Sequence, residues 1–119
     1  MEKPGQFNLT ELETLSGSDT AFILKMLSTF STTVPPFIQK MKESLATKNF
    51  PDLASIAHRL KPSFHYLGRP DLNRLLETVE NGNNSANEIQ IITAAADFLK
   101  NSALMMVEVD EYIDKLKNL

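Results

Sequence analysis

The sequence predicts an all-α protein, and more specifically an antiparallel four-helix bundle with a short extra N-terminal helix. Apolar residues recur at three- and four-residue steps, the period of an amphipathic helix, in four substantial stretches. Short segments rich in Asn, Ser, Gly and Pro separate these stretches. The alternation of apolar and polar residues that marks strands is nearly absent. Helices of this kind joined by short loops pack as a bundle.

The composition fits one soluble domain. The chain has 119 residues, of which 42% are hydrophobic, enough to build a core at this size. A formal net charge of −3 argues against a nucleic-acid-binding protein, which usually carries a basic face. The lack of cysteine excludes disulfides and thiolate chemistry. No apolar run approaches the ~20 residues of a membrane span, and no signal peptide is evident, so we expect a cytoplasmic protein.

The N-terminal region divides into a tail and the start of the domain. We expect a flexible tail over residues 1–8 and the folded domain over 9–119. Asn8 and Glu11 have the spacing of a helix cap, which predicts a short helix over 9–15. A Ser-Gly-Ser triplet then ends this helix.

The first long helix contains a tandem proline. Ser18 or Asp19 can cap its start. Its apolar positions are Phe22, Ile23, Met26, Leu27, Phe30 and Val34 before Pro35-Pro36, and Phe37, Ile38, Met41 and Leu45 after it. Two interpretations remain open: one helix kinked at Pro35-Pro36, or two stacked helices with proline in the first turn of the second.

The second and third helices have clear ends. Asn49 can cap the second, Pro51 fits its first turn, and Gly68 is a suitable residue just past its end. The third helix starts at Arg69-Pro70 and ends before a loop over 81–84. Its apolar positions are Leu72, Leu75, Leu76 and Val79.

The last helix begins at a capping box and runs to the C-terminus. Ser85 and Glu88 match the S-x-x-E pattern of such a box. The positions expected in the core are Ile89, Ile92, Ala96, Leu99, Ala103, Met106, Val109, Ile113 and Leu116.

One histidine stands out in the second helix, because a helical wheel places it opposite the core. With His58 at 0°, the apolar side chains cluster around about 200°. These are Leu53, Ile56, Ala57, Leu60, Phe64 and Leu67. Ala54, Lys61, Pro62 and His65 share the exposed side with His58, and the short Ala54 and Pro62 leave its imidazole uncovered.

The residues near His58 limit the reactions in which its imidazole can take part. A general base needs a carboxylate to orient it, yet no Asp or Glu lies three or four positions away. His65 lies two turns away, about 10 Å along the axis, too far for a compact metal site. Two interpretations remain: an ordinary surface histidine, or a nucleophilic imidazole that accepts a phosphoryl group whose charge Lys61 offsets.

Residues 57–68 resemble the signature of histidine-containing phosphotransfer (HPt) domains, which is Ala-His-x-Leu-Lys-Gly-Ser followed by Gly ten residues after the histidine. The matching positions are Ala57, His58, Leu60, Lys61, Ser63 and Gly68. The all-α layout fits the same family over nearly the whole chain. The resemblance therefore favours the functional interpretation of His58.

The resemblance implies a phosphorelay intermediate without kinase activity. His58 is expected to accept phosphate on its outer ring nitrogen from the aspartate of a receiver domain and to pass it to another receiver. Lys61 is expected to hold phosphoryl oxygens, and Gly68 to end the helix. The expected partners are response-regulator receivers and a hybrid sensor histidine kinase. The domain is expected to act as a monomer without its own cofactor, with Mg²⁺ on the receiver only.

Pro62 departs from the family pattern, which has a small residue at this position. Proline has no N–H and presses on the carbonyl of His58, so we expect a local kink or a widened turn. His65 can contact the partner, and Arg59 and Arg69 can form a charged rim around the site. The Pro62 departure also keeps a second hypothesis open: a non-phosphorylated, HPt-like adaptor that only docks receiver or kinase domains.

Overall fold

The computed structural model describes residue 17, residues 19–82 and residues 88–118. They form four α-helices: α1 (Thr20–Ala46), α2 (Phe50–Tyr66), α3 (Pro70–Gly82) and α4 (Glu88–Lys117). No strand occurs in these ranges, which confirms the all-α prediction. The expected tail over 1–8, the short helix over 9–15 and the Ser85 cap lie outside the described residues.

The helices form an up-and-down bundle. Each helix packs against its neighbours in the order α1, α2, α3, α4, and α4 closes the ring against α1. The diagonal pairs α1/α3 and α2/α4 are not adjacent in backbone. Because consecutive helices are neighbours joined by short connections, they run antiparallel. The molecule measures 47 × 22 × 22 Å, and the predicted four-helix bundle is confirmed.

The caps of α1 and α2 lie where the sequence places them. The Asp19 carboxylate accepts hydrogen bonds from the amides of Ala21 (2.9 Å) and Phe22 (3.4 Å) at the start of α1. The Asn49 side chain accepts one from the Asp52 amide (3.2 Å) at the start of α2. These acceptors satisfy amides that have no partner within the helix.

The tandem proline lies inside one continuous helix. α1 passes through Pro35 and Pro36, so the interpretation as two stacked helices is wrong. Both prolines are exposed, whereas one apolar stripe is buried on either side of them: Ile23, Leu27, Phe30, Val34, Ile38 and Met41. Burial of this stripe offsets the two amide donors that proline removes.

By length and composition, α1 is also the one described helix that could span a membrane, with a mean hydropathy of 1.2 over an 18-residue window. The uninterrupted apolar runs of the sequence predict no helix of this kind. α1 nevertheless reaches this hydropathy, because the Ser, Thr and Pro residues between its apolar positions lower the mean only slightly. Within the bundle, the apolar stripe of α1 faces the protein core.

The core register of α4 differs from the prediction in its first half. Ile89 is 74% exposed, and Ala96 and Ala103 are exposed as well. The buried positions are Ile91, Ala94, Ala95, Phe98, Ser102, Met105, Met106, Val109 and Ile113. Apolar residues occur on several sides of this helix, so their spacing alone did not identify the buried side.

Two further expectations on burial and loops need correction. Phe22 is 36% exposed rather than buried. α3 extends through Asn81 to a buried Gly82, so the first half of the expected loop over 81–84 is helical. The second half, Asn83-Asn84, lies outside the described residues.

A pair of phenylalanines fills the middle of the bundle. The rings of Phe64 on α2 and Phe98 on α4 meet edge to face, with centroids 5.0 Å apart and planes at 69°. Both side chains are fully buried. The pair therefore brings two helices that are diagonal in the bundle into contact within the core.

Candidate functional site

α2 presents His58 to solvent, as the helical wheel predicts. Its buried residues are Leu53, Ile56, Ala57, Leu60 and Phe64. The His58 side chain is 73% exposed. Because the opposite side of the helix is anchored in the core, the imidazole stands on a rigid element.

A carboxylate from the neighbouring helix contacts this imidazole. Glu80 on α3 places Oε2 against Nδ1 of His58, and its Oε1 accepts a hydrogen bond from Nζ of Lys61 at 2.9 Å. The absence of a carboxylate beside His58 holds only for α2 itself. The conclusion from the sequence that no carboxylate is placed to orient His58 is therefore wrong, because Glu80 approaches it from α3.

The α2–α3 hairpin explains why Glu80 arrives there. The turn at Gly68-Arg69 lies midway between His58 and Glu80, which are 22 residues apart. In an antiparallel hairpin, residues equidistant from the turn lie side by side. This symmetry is the signal in the sequence that identifies Glu80.

The hairpin turn itself is a Schellman motif. The Gly68 amide donates to the carbonyl of His65 (3.0 Å), and the Arg69 amide donates to that of Phe64 (3.1 Å). Gly68 has φ = 68°, a left-handed conformation that glycine adopts without steric cost. Gly68 thus lies just past the last residue of α2, Tyr66, in a conformation that does not continue the helix.

Lys61 and His58 together lower the pKa of the Glu80 carboxyl and so favour its ionised form. The hydrogen bond from Lys61 is the largest cause that lowers the pKa of Glu80, and His58 lowers it further, against the opposing effect of burial. An ionised carboxylate can only accept hydrogen bonds. It follows that Nδ1 of His58 donates the proton in this contact.

This contact fixes the chemistry of the other ring nitrogen. In a neutral imidazole with its proton on Nδ1, Nε2 carries the lone pair. The Glu80 contact therefore selects the tautomer in which Nε2 is the nucleophile. Lys61 has three donors and uses one on Glu80, so its ammonium can also bind an anion next to Nε2.

A shallow depression of about 370 Å³ lies on the α3 side of His58. It brings together four of the predicted site residues: His58, Lys61, Pro62 and His65. Tyr66 and Asn73 complete its lining. The sequence did not indicate Asn73 because it lies in the first turn of α3, beyond the motif.

Arg59 and Ala54 lie apart from this depression. Arg59 lines a separate groove of about 520 Å³ between α1 and α2, together with Lys40, Glu43 and Asp52. Ala54 is half-buried one turn before His58 and lines neither surface.

Arg69 does not belong to a charged rim, contrary to expectation. It is buried, and its guanidinium forms two hydrogen bonds with Asp71 (2.9 and 2.8 Å) at the start of α3. Hydrogen bonding from Arg69 lowers the pKa of Asp71. Arg69 therefore holds the hairpin turn rather than the exposed face of the site.

Pro62 lies within α2 without ending it, since the helix continues from Phe50 to Tyr66. Because proline has no N–H, the carbonyl of His58 lacks its usual donor four residues later. Pro62 is exposed and leaves the imidazole uncovered. The widened turn or kink expected here stays a prediction.

No cluster of three or more potential metal ligands occurs among the residues that the structure describes. A comparison with protein families matches residues 25–119 to the model of the Hpt domain. Searches of curated proteins and of solved structures find no match.

Proposed function

The chain belongs to the Hpt domain family, whose members carry out histidine phosphotransfer in two-component systems, and we propose on this premise that His58 is the phosphoacceptor. One observation supports this most: an exposed imidazole whose Nδ1 faces Glu80, which leaves Nε2 available for transfer.

The transfer step follows from this geometry. The Nε2 lone pair of His58 attacks the phosphorus of an aspartyl phosphate on a receiver domain. The N–P bond forms while the bond from phosphorus to the aspartate oxygen breaks, and the aspartate leaves as a carboxylate. The ring keeps its proton on Nδ1 and becomes positively charged, and the Glu80 carboxylate stabilises this charge. Transfer to a second receiver is the same step in reverse.

Lys61 has two roles in this proposal. In the free protein, its bond to Glu80 fixes the carboxylate that orients His58. When His58 carries a phosphoryl group, the two remaining N–H donors of Lys61 bind phosphoryl oxygens and offset their charge. The side chain is 33% exposed, so its ammonium can reach an anion on the surface.

The partners and location follow the same premise. We propose that receiver domains and a hybrid sensor kinase exchange phosphate with this protein, that Mg²⁺ is bound by the receiver, and that the protein acts as a cytoplasmic monomer without kinase activity. The rival function is an adaptor that docks such domains and is never phosphorylated. Pro62 supports the rival, because proline removes the N–H that would otherwise bond to the carbonyl of His58.

The test uses the full chain and a panel of phosphorylated receiver domains. We expect acid-labile phosphate on the wild type and on His65→Gln, but not on His58→Gln. His65 is the matched control because the chain has only two histidines. Labelling of His58→Gln at the wild-type rate would contradict the proposal. Receiver binding that persists in every variant, with no phosphate formed in any, would establish the adaptor instead.

A further inference from the structure

The outer side of α4 carries an apolar stripe that the bundle leaves uncovered. Ile89 is 74% exposed, Val107 56% and Leu104 54%. On a helical wheel these side chains lie opposite the buried side of α4, in line with four further exposed residues. The α4 stripe consists of Ile89, Thr93, Ala96, Lys100, Ala103, Leu104 and Val107. Large exposed apolar side chains that share one face of a helix indicate a surface that another protein covers.

The spacing along the α4 stripe is that of a seam between two helices. Steps of four, three, four, three and four residues lead from Ile89 to Val107. This pattern is the same in both directions about residue 98, so it fits an antiparallel copy of itself. Ile89 then lies opposite Val107 of the second copy, and Ala96 lies opposite its Lys100. Large apolar side chains meet at both ends, and the small ones between them let the helices approach closely.

The charges on this face also match a second copy. Lys100 lies in the middle of the α4 stripe, and Asp97 flanks it. Within the described residues, neither side chain takes part in an ion pair. In the antiparallel arrangement, Asp97 of one copy lies level with residue 99 of the other, so its carboxylate lies beside the Lys100 ammonium. The twofold axis repeats this pair, and a single charged position of this kind specifies the register of a helical seam.

We infer that the α4 stripe is a self-association surface, through which two copies of this protein pair with their α4 helices antiparallel. The stripe is about 27 Å long and covers roughly 300 Å² of each copy, less than half of the ~800 Å² per partner that a stable complex buries. The pairing is therefore weak, with a dissociation constant of about 100 µM, and dilute protein is monomeric.

Pairing through α4 leaves the site at His58 open. α4 and α2 are diagonal in the bundle, so the α4 stripe faces away from the helix that carries His58. Each copy keeps a complete site, and the pair presents two of them on opposite outer sides. A partner that carries two receiver domains then binds the pair more tightly than one copy, because its second contact is intramolecular. This last consequence rests on the proposed function, whereas the pairing itself does not.

Sedimentation of the full chain at low and high concentration measures the pairing. We expect the mass of nearly one chain at about 10 µM and of nearly two chains at about 1 mM. Val107→Glu places a charge opposite Ile89 and is expected to keep the mass of one chain at both concentrations. Gln39→Glu adds the same charge at an exposed position on α1 and is expected to pair like the wild type. Wild-type protein that keeps the mass of one chain at the higher concentration would overturn the inference, as would full pairing of Val107→Glu.

The register has a test of its own, because the chain contains no cysteine. Ile89→Cys and Val107→Cys, mixed and mildly oxidised, are expected to form the mixed disulfide about tenfold faster than either forms one with itself. The reason is that directly opposed residues bring their Cβ atoms close to the separation of about 4 Å that a disulfide requires. Disulfides between identical variants that form as fast as the mixed one would overturn the antiparallel arrangement.

A charge exchange tests the contact between Lys100 and Asp97 of the two copies. We expect Lys100→Asp to weaken the pairing about tenfold, because two carboxylates then face each other across the seam. Addition of Asp97→Lys in the same chain is expected to restore the pairing to nearly the wild-type level. If the double variant pairs no better than Lys100→Asp alone, the proposed contact is wrong.

Discussion

At the residue scale, the candidate site consists of three side chains in contact: His58, Lys61 and Glu80. Glu80 bonds to both His58 and Lys61, so one carboxylate favours one tautomer of His58 and holds the Lys61 ammonium beside it. The motif around His58 specifies two of the three. The third comes from another helix, 22 residues away, and no local spacing on α2 indicates it. The sequence therefore predicted His58 as the phosphoacceptor but did not indicate Glu80, the carboxylate that contacts it.

Replacement of Glu80 by glutamine removes the charge and keeps the size of the side chain. We expect phosphoryl transfer to His58 to slow about tenfold, since a hydrogen bond to a charged group contributes about 1.5–3 kcal/mol. Transfer rates from a single receiver measure this, and ¹⁵N chemical shifts of His58 report the tautomer. Glu77→Gln is the control, because Glu77 is exposed on the same helix. Equal rates for Glu80→Gln and wild type would refute the role of Glu80.

The lowered pKa of Glu80 also predicts a pH dependence of stability. The folded protein holds this pKa below its ordinary value of 4.5, mainly through Lys61. Above pH 4.5 the carboxylate is ionised in both folded and unfolded chains, so its contribution to stability is fully present. As the pH falls from there through the folded pKa, that contribution disappears. We expect urea unfolding to show wild type and Glu80→Gln converging in stability over this acid range. If the difference in unfolding free energy between the two proteins stays constant down to the folded pKa, the lowered pKa of Glu80 is contradicted.

At the scale of elements, the α2–α3 hairpin builds the site and α4 shows the limit of the sequence pattern. The Asn49 cap and Gly68 fixed both ends of α2 from local chemistry, and the structure agrees with them. In α4, isoleucines and alanines lie on several faces, so only packing against α1 and α3 decides that Ile91 is buried and Ile89 exposed. Local signals thus predict helix ends better than the rotation of a helix about its own axis.

Pro62 gives a prediction at this scale. Proline within a helix costs up to about 3 kcal/mol through its missing donor and its ring. Pro62 is exposed, so alanine can replace it without repacking the core. We expect Pro62→Ala to raise the free energy of unfolding by about 2 kcal/mol. This is less than the full cost of the proline, because the greater entropy of the unfolded variant offsets part of the gain. Urea unfolding measures the change, and Ser55→Ala, exposed on the same helix, is the control. A loss of stability in Pro62→Ala would show that α2 is adapted to the proline.

At the scale of the whole molecule, the two long helices support the two short ones. α1 and α4 have 27 and 30 residues, whereas α2 and α3 have 17 and 13. Each short helix packs on one long helix and on the other short helix. The Phe64–Phe98 contact joins α2 of the hairpin to the long helix α4. We therefore expect this contact to support the alignment of His58 with Glu80.

Removal of one ring from this pair tests the dependence. Phe98 is fully buried on α4 and touches neither His58 nor Glu80 in any contact described above. We expect Phe98→Ala to lower the free energy of unfolding by about 3–5 kcal/mol, the usual cost of a large cavity in a core. We also expect slower phosphoryl transfer, because α2 loses its aromatic contact with α4 and the His58–Glu80 contact loosens. Ile89→Ser on the same helix is the control; at 74% exposure it should change stability by less than about 0.5 kcal/mol. Folded Phe98→Ala that transfers phosphate at the wild-type rate would contradict this expectation. The Gly68 turn and the Arg69–Asp71 bonds would then be sufficient to align His58 with Glu80.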